Sequence, residues 1–139
     1  MTRWVVAVVL VGASLSMSSL SQQTHVSRPS RPVTRQEWVG LASWCGADEW
    51  LNRYTAMGRR FNPETLEAAM WDIPLGSLVR VTNRDNGRSI VVRVTDRGPA
   101  QRLRKRRVID LTRGAFAHLA PLRQGLIPVI VQQVRSGVR

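Results

Sequence analysis

A chain of 139 residues that is 43% hydrophobic and 22% charged can bury one core, and it is too short for two ordinary domains. Its 21 Lys and Arg outnumber 9 Asp and Glu, and every basic residue except Lys105 is arginine, so the molecule is permanently cationic and attracted to polyanions. The single cysteine, Cys45, excludes an intramolecular disulfide, and no spacing of His, Cys or carboxylates resembles a metal site.

In chain order, Thr2-Arg3 precede an apolar run, Trp4 to Val11, followed by the small and polar stretch Gly12 to Ser21. This is the three-part organisation of a secretory signal peptide over residues 1–21, with cleavage near Ser19 to Gln22. The run is well short of the ~20 residues that span a bilayer, so no stable membrane insertion is expected after cleavage. Cys45 lies too far downstream to be a lipidated first residue, and the expected product is a periplasmic or secreted protein, not a lipoprotein. Export also removes nucleic acid as the polyanion. Residues 22–36, polar with Pro and Ser, read as a flexible linker.

The globular region is placed at 37–135, with a short tail at 136–139. Trp38 to Trp44 has the β-branched, aromatic and small composition of a first strand. Asn62 to Met70 reads as a short helix, with Asn62 as its cap and Pro63 at the first helical position. Ser77 to Asn83 and Arg88 to Thr95 alternate apolar and polar residues around Asn86-Gly87, which predicts a hairpin with Val79, Val81, Ile90, Val92 and Val94 facing inward. Asp110 to Ala120 suggests a second helix, capped by Asp110 or Thr112 and stopped by Pro121. Leu126 to Val134 is a last strand, in which Pro128 requires an edge or a bulge. Short strands with small helical insertions make the expected fold mainly β, a compact barrel.

Three stretches, Gly40-Leu41-Ala42-Ser43-Trp44-Cys45-Gly46, Ile73-Pro74-Leu75-Gly76-Ser77-Leu78-Val79-Arg80-Val81-Thr82-Asn83, and Val94-Thr95-Asp96-Arg97-Gly98-Pro99 followed by Ile109-Asp110-Leu111-Thr112, together resemble the rare lipoprotein A family. The resemblance covers about Trp38 to Val134. It implies a six-stranded double-psi β-barrel, the fold also found in expansins, and a lytic transglycosylase. Such an enzyme cuts peptidoglycan glycan strands between N-acetylmuramic acid and N-acetylglucosamine, prefers strands without stem peptides, and leaves anhydro-muramic ends. The sugar's own hydroxyl is the nucleophile, so no second carboxylate is needed to activate water and no cofactor is expected.

On this resemblance Asp96 is the catalytic acid/base, and Ser43, Trp44, Arg97, Arg104 and Arg106 are expected to contact substrate. The partner is the glycan strand, and the protein is expected to act as a monomer. A plainer role for Asp96 is to cap the turn it precedes. The chain departs from the family at three places. Arg59 stands where active members carry glutamate, Met70 where they carry histidine, and Cys45 where they carry tyrosine. Neither Arg59 nor Met70 can take over proton transfer, which sustains a rival from another class, a silent expansin-like module that binds glycan strands. Glu67, Asp72, Asp48 and Glu49 lie close enough in sequence to substitute. Met70 reads as core packing and His118 as structural. The run Arg102 to Arg107 reads either as a solvated loop or as a clamp for anionic wall groups.

Overall fold

The computed structural model describes residues 36–46 and 53–134. The expected signal segment, most of the linker and the tail lie outside them, as do Asp48 and Glu49. Six strands, β1 (Glu37–Cys45), β2 (Glu67–Ala69), β3 (Leu78–Asn83), β4 (Ser89–Asp96), β5 (Arg107–Thr112) and β6 (Ile127–Gln133), and one helix, α1 (Arg113–Leu119), make up the regular structure. The strands close into a barrel in the order β1-β5-β2-β4-β3-β6. β1 runs parallel to β5 and β2 parallel to β4, and the remaining neighbours are antiparallel.

The hairpin of β3 and β4 forms as its alternation predicts. Val79 lies opposite Val92 and Val81 opposite Ile90. The Asn83 amide donates to the Arg88 carbonyl across a turn in which Gly87 takes a φ of +75°. Val79, Val81, Val92 and Val94 are buried and meet Ile109, Leu111, Val129 and Val131 in the barrel interior. Each such side chain contributes roughly 1.5–3 kcal/mol of transfer free energy. Pro128 sits opposite Leu41, whose amide turns away to the Arg106 carbonyl. On its other side the named pairing with β3 ends at Asn83, and the Pro128 carbonyl accepts from the next amide, Arg84, at 2.8 Å, so the missing N–H falls at the end of that ladder.

Two expected helical boundaries are corrected. Asn62 to Met70 is not a helix. Asn62 does cap a turn, its Oδ1 accepting from the Glu64 amide at 2.9 Å, but after Leu66 the chain extends into β2. β2 fills the gap between β4 and β5, and without it the barrel would expose two edges, so tertiary pairing overrides local helix propensity. The second helix starts three residues later than Asp110. Thr112 Oγ1 accepts from the Ala115 amide, while Asp110 belongs to β5. Buried Ala115, Phe116 and Leu119 then seat α1 on the core.

Candidate active site

Asp96 ends β4, where a cleft of about 330 Å³ opens. Its Oδ1 accepts from its neighbour's amide, Arg97 N, at 2.8 Å and from Ala56 N at 3.1 Å, and its Oδ2 accepts from the Arg53 guanidinium. The carboxylate is therefore fixed in direction, with 16% of the side chain exposed toward solvent. Turn capping and a site role coincide here, because Oδ1 makes the local bond while the 53–61 segment holds both oxygens, Oδ1 through Ala56 and Oδ2 through Arg53. That segment docks on the barrel through Met57 N to Thr95 O at 3.2 Å and closes on itself through Phe61 N to Arg53 O at 2.8 Å.

Two further carboxylates line the same cleft. Glu67, on β2, is only 9% exposed and its Oε2 accepts from Thr95 Oγ1 at 3.2 Å. Arg59 lies 3.7 Å from its other oxygen, so the arginine at the altered family position faces a carboxylate supplied by the neighbouring strand. Asp110, on β5, accepts from Ser43 Oγ at 3.1 Å. Burial is the main cause that pushes its pKa above the ordinary 3.8, with the Ser43 hydroxyl, Arg107 and Arg53 pulling the other way and Asp96 adding to the rise. Cys45 also lines the cleft. Burial and then the charge of Asp110 push its thiol up to about 12, so it stays a protonated thiol at neutral pH and is no nucleophile.

The expected substrate contacts separate into different roles. Ser43 is buried and orients Asp110. Trp44 does not line the cleft. Its ring packs 6.4 Å from Phe116 and its indole N–H donates to the Leu122 carbonyl at 3.1 Å. Arg97 lines the cleft, yet its guanidinium donates to the Met70 and Ile73 carbonyls, tying the 70–73 turn to the end of β4. Arg104 pairs with Asp72 beside a second groove, and Arg106 is exposed and lines neither cavity. Met70 is 1% exposed in the core.

Arg53 and Thr55 also line the cleft, as does Arg107, which in the sequence belongs to the basic run read as a clamp. Thr55 Oγ1 is buried there, with no hydrogen-bond partner among the described residues. No periodicity distinguishes Arg53 or Thr55. The Ile109-Asp110-Leu111-Thr112 stretch was a usable signal for Asp110.

A family model described as lytic transglycolase matches residues 43–131. The chain is 48% identical over 99 residues to a probable endolytic peptidoglycan transglycosylase RlpA of Nostoc sp., covering 70% of this chain and 26% of that protein. It is 37% identical over 109 residues to the endolytic peptidoglycan transglycosylase RlpA of Neisseria meningitidis serogroup A, covering 78% and 44% respectively. It thus spans less than half the length of these relatives. Among solved structures, Streptomyces papain inhibitor superposes with a TM-score of 0.57 at 29% identity, over 72% of this chain and 96% of that one. Apo Clavibacter michiganensis expansin superposes with a TM-score of 0.58 at 18% identity over 75% and 53%, a likeness of fold alone. A match across nearly the whole barrel, from Ser43 in β1 to Val131 in β6, makes the chain a member of the lytic transglycolase family with the double-psi β-barrel of the rare lipoprotein A proteins.

Proposed function

We propose that the protein acts on peptidoglycan glycan strands outside the cytoplasm, as an endolytic transglycosylase that cleaves between N-acetylmuramic acid and N-acetylglucosamine. The observation that carries this reading is the fixed carboxylate of Asp96, aimed into a 330 Å³ cleft by two amides and a guanidinium. In the reaction the muramic acid C6 hydroxyl attacks its own anomeric carbon. An O6–C1 bond forms, the C1–O4 glycosidic bond breaks, Asp96 takes the hydroxyl proton, and the leaving O4 receives a proton from the same carboxyl. Atoms balance without water, so one acid/base residue is sufficient. Arg53 and the Ala56 amide hold that residue in place through the exchange. The relatives' names and the secretion-type N-terminus support the substrate and the location, and the protein is read as a monomer without a cofactor.

The test is incubation of the protein with strands stripped of stem peptides and mass spectrometry of the products. Anhydro-ended fragments are expected from the wild type, and Asp96→Asn should lower their formation at least ~100-fold, the order of a lost acid/base group, with binding retained. A second reading, a silent glycan-binding module, is favoured by two observations. Arg59 turns its charge on Glu67, and Met70 is in the core where no proton can be transferred. Tight binding of strands by the wild type with no product would select it.

A further inference from the structure

A second groove of about 120 Å³ is lined by Trp38, Met70, Trp71, Asp72, Arg104 and Val108, and it shares one lining residue with the cleft, Arg107, which stands between the two. The groove has a built wall. The Trp71 indole N–H donates to the Pro99 carbonyl at 2.7 Å, which fixes the ring, and the Arg104 guanidinium lies 5.6 Å from that ring's centroid while pairing with Asp72. Neighbouring cations are thus committed: Arg104 to Asp72 and Trp71, Arg53 to Asp96, Arg97 to two carbonyls.

Arg107 differs from them. It is half-buried at the start of β5 and makes no ion pair or side-chain hydrogen bond among the described residues. Its charge is felt by Asp110 across the cleft, but no described acceptor lies within bonding distance of its five donors, and a bound anion would offset the cost of drawing the guanidinium partly out of water. Its planar fork matches a carboxylate through two parallel bonds better than a point-charge acceptor. The aromatic walls of Trp38 and Trp71 suit the apolar face of a sugar ring on the same ligand.

We propose that Arg107 binds the free lactyl carboxylate of a muramic acid residue lying across the junction of cleft and groove. This rests on the glycan-strand reading above and deepens it. The lactyl group ends in a carboxylate where the stem peptide is absent and in a neutral amide where it is attached. Arg107 would therefore read the absence of the peptide by charge, and the 120 Å³ groove, too small for a whole disaccharide, would hold only the substituent and part of one ring.

The test measures binding, not turnover, of fluorescent peptide-free glycan strands at fixed ionic strength, in native form and after carbodiimide amidation of their carboxylates. Wild-type protein should bind the native form at least ~10-fold more tightly, the order of one charge-assisted bidentate contact. Arg107→Gln should bind both forms equally at the weaker level, Arg107→Lys should retain part of the preference, and Arg88→Gln, in the hairpin turn, should retain all of it. Equal wild-type binding of both forms overturns the proposal while leaving the glycan reading standing. So does a preference that persists in Arg107→Gln, which would assign it to the exposed basic run. Binding of neither form would remove the glycan reading itself. Melting curves establish that each variant is folded, and if Arg107→Gln is not, the amidation contrast in wild type and Arg107→Lys decides.

Discussion

Asp110 shows how one residue changes meaning when its neighbours are known. Sequence offered it as a helix cap, because a carboxylate before Leu-Thr-Arg-Gly is a common helix start. In the barrel it is Thr112 that caps, and Asp110 lies in β5 opposite Ser43, half out of water. Burial raises its folded pKa above the ordinary 3.8. The unfolded chain therefore gives up this proton at lower pH than the folded one does. The group favours folding most below the unfolded pKa, and that contribution is lost as pH rises through the folded value. Asp110→Asn keeps an acceptor for Ser43 without the charge. We expect the variant's melting temperature, relative to wild type, to be higher at pH 7 than at pH 4 in calorimetry, and a difference that does not change with pH would show the burial penalty to be absent. Asp96 was legible because its neighbours in sequence define its turn. Arg53 and Thr55 were not, because what makes them site residues is a cleft whose other lining, Glu67 and Asp96 included, comes from far along the chain.

At the scale of elements, the same divide between local and distant causes separates what could be read from what could not. The β3–β4 hairpin was evident because alternation and Asn-Gly are written in consecutive residues. β2 was misread as helix because three residues of Glu-Ala-Ala favour helix, and only the edges of β4 and β5 make them a strand. The entry to β2 depends on a close backbone approach. A Cβ at Gly114, in the first turn of α1, would lie 2.6 Å from the Glu64 carbonyl oxygen and 2.9 Å from its carbon, both backbone atoms that cannot rotate aside. Gly114 also donates to the Pro63 carbonyl at 2.8 Å. Gly114→Ala should therefore force the 62–66 turn off the helix and cost about 1–3 kcal/mol, the order of overpacking, seen as a lower melting temperature. Because the turn leads into β2, the displacement should also reach Glu67 and reduce glycan binding. A variant as stable as wild type would mean that the turn yields freely.

At the scale of the whole molecule, the charge of +12 raises the question of where the cations act. The run Arg102 to Arg107 follows the turn at Pro99 and looks uniform in sequence, yet the fold divides it. Arg107 is in the cleft wall, Arg104 is engaged by Asp72 and Trp71, and Arg102, Lys105 and Arg106 are exposed without ion pairs among the described residues. Leu103 between them lines the cleft, so the exposed charges stand beside its opening. Charges in that position act through solvent over a screening length of about 8 Å at physiological ionic strength. They should speed and strengthen encounter with an anionic wall without selecting a particular group on it. Replacing Arg102, Lys105 and Arg106 together by Gln should accordingly leave the melting temperature within a degree or two of wild type, since exposed charges add little to stability. Attachment to purified sacculi should weaken several-fold at low salt and converge on the wild type at about 1 M, where screening falls to about 3 Å. The preference for native over amidated strands should survive, because that is assigned to Arg107. A triple variant with unchanged salt dependence would make the run a solvated loop, and one that loses the preference would move carboxylate recognition from the junction to the surface.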